Sequence, residues 1–311
     1  MRGEKLGIME TVTIEPKPPY DIKTHFEHYS LGDLQPSPAI YEKGIYKRAF
    51  RLKNDILVPV EIELNDDVDS PKLKVTFYSA ITKKEREQAI AKIKWVFDTE
   101  YDLKPCYEYM NSDPILRRVR NINYGLRPSY YSTVYEAIIV AIVQQQISLK
   151  IARHMVSLIV RRYGDCIWVG TNKEFWEFPS PKELAKATVK GLRDCKLSER
   201  KAEYISDFSQ VVAKGEFDPE SLKKCDYEQI VDKITSFRGM GRWTVESVIV
   251  TSIDVENVNP SGDLGARKAI SHFYKDDKLM SEAEVRNFTE RWGRYKGIIT
   301  YYLMAEYVHG E

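Results

Sequence analysis

The feature that most constrains this chain is a change of hydrophobic period near residue 100. Before it, apolar and polar residues alternate over short runs, at 11–15, 45–52, 56–64 and 72–78. That period of two, with β-branched residues, reads as strands. Asn54-Asp55 and Asn65-Asp66-Asp67 supply turn chemistry between them. A helix is expected over 83–98, with Ala89, Ile90, Ile93 and Val96 on one face. Short connections without a βαβ rhythm predict an antiparallel sheet backed by a helix.

After residue 100 the pattern is helical. Thr133 to Glu136 spells a capping box before an apolar run to Val143, and Ser180-Pro181-Lys182-Glu183 spells another. Ser148, Ser198, Asp226 and Ser281 are further helix starts, and Gly164 and Gly215 are stops. A last helix is expected from near Tyr295 to Val308. The expected organisation is a sheet-plus-helix domain over 1–100 and a helical region over 101–311, the α+β class. Two or three domains suit 311 residues. With 43% hydrophobic and 30% charged residues the chain can bury a core.

Whole-chain charge is uninformative, at 47 basic against 46 acidic residues. Residues 113–163 stand out, with eight basic side chains (Arg117, Arg118, Arg120, Arg127, Lys150, Arg153, Arg161, Arg162) against Asp113 and Glu136. Such a run is a solvated helix face or an anion-binding surface. The four cysteines are far apart and form no C-x-x-C pair, so neither a zinc site nor an iron–sulfur cluster is expected. No apolar run approaches the ~20 residues of a membrane span. The opening MRGEKLGIME lacks the apolar core of a secretion signal. A cytoplasmic, nucleoid-associated monomer without a membrane is the expectation.

Chemistry concentrates in residues 230–267. A helix ends near Ser236, the turn Phe237-Arg238-Gly239-Met240-Gly241 follows, and a second helix begins near Arg242. Paired glycines permit positive φ and close approach. They also leave free N–H groups at a helix start, an anion site that grips phosphate without reading bases. An ordinary αα-hairpin with a glycine turn reads equally well. The loop NVNPSG then precedes Asp263, which is a helix N-cap, a carboxylate at a cleft mouth, or both. Upstream, AIVQQQIS ends an apolar helix in three glutamines, of which Gln145 or Gln146 could face a groove.

In combination, AIVQQQIS, then SFRGMGRWTVES about ninety residues later, then the Pro-x-Gly-Asp loop resemble the helix–hairpin–helix DNA glycosylases, specifically the 3-methyladenine DNA glycosylase II (AlkA-type) branch. Pro18-Pro19-Tyr20-Asp21, Gly125-Leu126-Arg127, Arg162-Tyr163-Gly164 and Glu290-Arg291-Trp292 carry the same likeness. The resemblance implies a TBP-like N-terminal sheet followed by an all-α core, whose two helical subdomains flank the active-site cleft. It implies catalysis by Asp263, and a base pocket at Trp243, Ser247, Gln145 and Met304. DNA contacts are implied at Gly239, Gly241, Arg242, Leu126, Arg127 and Pro128, with Pro128 at the wedge position and Leu126 or Tyr130 as alternatives. A structural cation is implied at the carbonyls of Thr235, Phe237 and Met240, with no catalytic cofactor.

Trp243 stands where strand-cleaving relatives carry a Schiff-base lysine, so a monofunctional enzyme acting on double-stranded DNA with damaged bases is implied. Ser247, Met304 and Gly262, where family members carry other residues, leave hypoxanthine or 8-oxoguanine open as the lesion. A non-catalytic DNA-binding protein is the remaining alternative.

Overall fold

The computed structural model describes residues 10–29 and 34–309. The expected absence of a leader therefore falls almost wholly outside the described residues. Strands β1 (Glu10–Ile14), β2 (Ile40–Glu42), β3 (Ile45–Arg51), β4 (Leu57–Leu64) and β5 (Leu73–Phe77) form one antiparallel sheet in the order β1-β5-β4-β3-β2. The first helix, α1 (Lys23–Tyr29), lies between β1 and β2 in sequence. Alternation places Val58, Val60, Ile62, Leu73, Val75 and Phe77 in a single core with Ala89, Ile93 and Val96 of α2 (Lys83–Val96). Thr82 and Glu85 close a reciprocal capping box at its start.

The helices follow as α3 (Lys104–Met110), α4 (Pro114–Ile122), α5 (Val134–Gln144), α6 (Leu149–Tyr163), α7 (Pro181–Lys186), α8 (Val189–Asp194), α9 (Glu199–Ala213), α10 (Tyr227–Thr235), α11 (Arg242–Ser252), α12 (Leu264–Lys275), α13 (Glu282–Thr289) and α14 (Lys296–His309). They build two cores. One joins α5 to α11, and the other packs α3 and α4 against α12, α13 and α14. Among the described residues no helix is long and apolar enough to cross a membrane.

One element departs from the helical expectation. A two-stranded antiparallel hairpin, β6 (Asp165–Val169) and β7 (Lys173–Glu177), interrupts the helices. The run Cys166-Ile167-Trp168-Val169 in β6 is continuously apolar, so no alternation marks it as a strand. The two strands form because β7 packs against β3, where Glu177 meets Arg48. The Arg48 guanidinium, buried, donates to Glu136 at 2.8 Å and to Glu177 at 2.6 Å. Glu136 was expected to complete a capping box. Thr133 does cap its N–H at 3.0 Å, but the carboxylate is spent on Arg48. Removing Arg48 would strand two buried carboxylates, at a typical cost of about 3–5 kcal/mol.

A second buried cation corrects a functional expectation. Arg127 has no exposed surface; it donates to the carbonyls of Tyr101 (2.8 Å), Lys17 (2.9 Å) and Pro19 (2.9 Å), and lies 3.4 Å from Asp98. It laces the sheet domain to the helices and is not a phosphate contact. Leu126 and Pro128 are buried beside it, and Tyr130 is buried and stacked on Trp95, so none of the three stands out as a wedge. A loop that carries so many backbone hydrogen bonds must face inward.

Burial pushes the Asp98 carboxyl up to about 7, against the pull of Arg127. Between its ordinary value of ~4 and 7 the folded chain therefore holds a proton that the unfolded chain releases. Folding takes up that proton, so this group stabilises the fold at low pH and the contribution is lost as pH rises toward 7. Denaturant melts at pH 5 and pH 8 check this. The gain at pH 5 should exceed that of Asp98→Asn by about 2–3 kcal/mol, and equal slopes would refute it.

Candidate active site

The turn between α10 and α11 has a floor. Gly239 sits at φ +83°, and a Cβ there would fall 2.2 Å from the Tyr204 ring of α9. Arg238 lies over that ring at 5.2 Å and pairs with Glu203. Gly241 is the N-cap of α11, with open space around it and no side-chain cap. Its exposed backbone leaves the first-turn N–H groups of α11 facing outward beside exposed Arg242. The Phe237 carbonyl accepts from the Met240 N–H at 3.2 Å. Among the described residues no turn or cap N–H donates to the Thr235 or Met240 carbonyls.

Gln145 serves this turn and not a pocket. Its amide N–H₂ donates to the Gly239 carbonyl at 2.9 Å and to the Thr244 hydroxyl at 3.2 Å. The neighbouring Gln146 is the glutamine that projects, exposed and at φ +56°. The basic stretch does not make one surface. Arg117 and Arg118 are on α4, Arg162 pairs with Asp194, Arg161 donates to the Gln35 carbonyl, and Arg127 is sealed.

Asp263 is the N-cap of α12, half-buried, and its Oδ1 accepts from the Ala266 N–H at 3.0 Å. Its own N–H donates to the Pro260 carbonyl at 2.9 Å. Asn259 ties this loop to α13 through the Thr289 hydroxyl at 3.2 Å. The carboxylate is therefore fixed by its backbone yet open to solvent, next to exposed Leu264. Gly265 preserves its room, since a Cβ there would press on Oδ1 at 3.0 Å and on the Met304 methyl at 3.3 Å. Trp243 closes the other side, with its ring edge 3.6 Å from where a Gly262 Cβ would sit.

Trp243, Ser247 and Thr251 recur every four residues along one face of α11, spanning about 12 Å. On α14, Met304 lies one turn beyond Tyr301, whose hydroxyl meets His25 Nδ1 at 2.8 Å. Thr251 and His25 both line a cavity of about 230 Å³ between the sheet domain and α5, α6 and α11. Tyr41, Gln144, Leu149 and Arg153 also line it, whereas Asp263, Trp243, Ser247 and Met304 do not. A cavity of roughly 150 Å³ holds benzene, so this one has the size for a heteroaromatic base. Enclosure, aided by Arg153, pushes the His25 imidazole down to about 3, so the ring is neutral.

Asp263 thus has Met304 and Trp243 close to its loop, and Ser247 lies one turn along α11 from Trp243. Thr251 and Tyr301 were legible from helical spacing off Ser247 and Met304. His25 carried no local signal.

Residues 139–295 match the HhH-GPD superfamily of base excision DNA repair proteins. The DNA-3-methyladenine glycosylase of Bacillus subtilis is 29% identical over 219 residues, which cover 70% of this chain and 72% of that one. The structure of the 3-methyladenine DNA glycosylase from Archaeoglobus fulgidus superimposes with a TM-score of 0.85 at 31% identity, covering 96% of this chain and 99% of the other. The 8-oxoguanine glycosylase/lyase of Clostridium acetobutylicum, at 17% identity and a TM-score of 0.68 over 88% of this chain and 98% of its own, shares the fold.

Proposed function

The chain belongs to the HhH-GPD superfamily of base excision DNA repair proteins, and we propose that it is a monofunctional DNA glycosylase that releases alkylated purines from duplex DNA. One observation carries this reading. A backbone-fixed, half-buried carboxylate, Asp263, stands beside Trp243 and Met304 in a chain that also carries a phosphate-type glycine hairpin at Gly239 and Gly241.

The target nucleotide is extruded, its base entering between Trp243, Ser247 and Met304 toward the cavity. Gln146, the projecting side chain of its loop, takes the wedge role that Pro128 cannot. The N–H groups of Gly239 and Gly241, with Arg242, hold the backbone phosphate. The carbonyls of Thr235, Phe237 and Met240 would hold a cation, which would share the phosphate charge. The N-glycosidic bond breaks with its electron pair leaving on the base. Positive charge develops on the sugar, where Asp263 stabilises it and orients the water that adds to C1′. An alkylated purine already carries positive charge and leaves without a strong general acid. Trp243 has no amine for a Schiff base, so the product is an intact strand with an abasic site.

Duplexes holding 3-methyladenine, 1-methyladenine, hypoxanthine or 8-oxoguanine test this. Free alkylated base is expected, with strand scission only after alkali and no borohydride-trapped complex. Scission without alkali, or a trapped complex, overturns the monofunctional reading; the absence of any base release overturns the enzyme.

A further inference from the structure

A second carboxylate stands against the catalytic loop from a different element. Glu282 is the first residue of α13, capped in place by the reciprocal box of Ser281 and Glu284. Its Oε1 accepts from Arg286 Nη2 at 2.8 Å. Its other oxygen, Oε2, lies 3.4 Å from where a Gly262 Cβ would begin, and the Trp243 ring edge lies 3.6 Å from the same point. Gly262 is the residue before Asp263.

The position of Glu282 is held by a chain of charges. Arg286 Nη1 donates to Glu246 Oε1 at 2.7 Å, and Tyr227 donates its hydroxyl to the same oxygen at 3.1 Å. Glu246 is fully buried on α11, one turn beyond Trp243. Both helices of the hairpin therefore anchor Arg286, which keeps its proton well above its ordinary range through these carboxylates despite desolvation. Arg286 is in turn the clamp that aims Glu282. The Glu282 side chain is about half exposed, so its charge is open to solvent.

We propose that Glu282 is a second acidic group of the site, adding negative charge beside the sugar and so raising the rate of bond cleavage without adding to DNA affinity. This rests on the glycosylase reading above. The charge acts through space on a cation that exists only as the bond breaks, so it favours the transition state over the bound duplex. Toward the DNA itself a carboxylate is neutral or repulsive.

The test is Glu282→Gln, which keeps the shape and an acceptor for Arg286 while removing the charge. With saturating enzyme and an alkylated duplex, the single-turnover rate should fall about tenfold. Duplex affinity should be unchanged or tighter, and the melting temperature unchanged. Adding Gly262→Asp restores a carboxylate on the same spot. The position has ordinary van der Waals room, and the double variant should recover most of the lost rate. A rate within twofold of the parent protein overturns the proposal, as does a loss of affinity that matches the loss of rate, or a folded double variant without recovery. If the double variant melts early, the Glu282→Gln split between rate and affinity decides alone. The parent protein is the control for the reading beneath: if it releases no base, the glycosylase assignment fails, and not the role of Glu282.

Discussion

Asp263→Asn should abolish base release while leaving folding and duplex affinity intact. The substitution separates two jobs of one side chain. As an N-cap, Asp263 accepts the Ala266 N–H, and asparagine caps helices about as well as aspartate. As an anion, it faces the charge that develops on the sugar, and the neutral amide cannot replace it. Loss of a single preorganised electrostatic group typically costs about 10²–10³ in rate. Single-turnover base release beside a duplex-binding titration gives the answer. Asp263→Ala should lose the same rate and, in addition, about 1 kcal/mol of stability with the cap. An Asn variant that still turns over within tenfold of the parent would sink the assignment.

Gly239→Ala should cost both stability and DNA binding, whereas Gly241→Ala should cost little stability. The two glycines look alike in the sequence and differ in their surroundings. At Gly239 a methyl group would meet the Tyr204 ring at 2.2 Å, and the φ of +83° is itself unfavourable for alanine. The ring cannot simply withdraw, since Arg238 covers it. Overpacking and backbone strain together predict about 2–4 kcal/mol. The turn must then shift, and its amides lose their common aim at a phosphate. Gly241 has a φ of −110° and open space, so a methyl group there is tolerated by the fold. Thermal melts and duplex affinity of the two variants distinguish the cases. Equal stability loss at both positions would mean that Tyr204 does not support the turn. Pairing Gly239→Ala with Tyr204→Ala should return part of the stability.

The placement of charged residues shows where reading the chain by itself stopped. The eight basic residues of 113–163 suggested one anion-binding face, yet they are dispersed over α4, α6 and a buried loop. Gln145 was assigned to the base pocket but braces the hairpin from 94 residues away. Glu136 was read as half of a capping box and instead meets Arg48, 88 residues earlier in the chain. Glu282 and His25 gave no signal, since neither belongs to a motif in its own neighbourhood. By contrast, Asp263 and Trp243 were singled out by family motifs, and Ser247 and Met304 as departures from them; helical spacing then leads on to Thr251 and Tyr301.

What the sequence by itself determined is four strands of the large sheet and the capped helices, and not the β6–β7 hairpin. Caps at Thr133, Ser148, Ser180, Ser198, Asp226 and Ser281 form, although the boxes spelled at Thr133 and Ser180 close from one side only, and the hairpin turn lies where its glycines are. These features rest on hydrogen bonds that close within three or four residues, so the local string contains both partners. Only the tertiary structure decided which polar side chains face the cleft and which are used to join the domains. Arg127 reaches 110 residues back to the Lys17 carbonyl and His25 reaches 276 forward to Tyr301. A buried charge must find its partners wherever packing brings them, because leaving it unpaired costs more than almost any other local preference can offset.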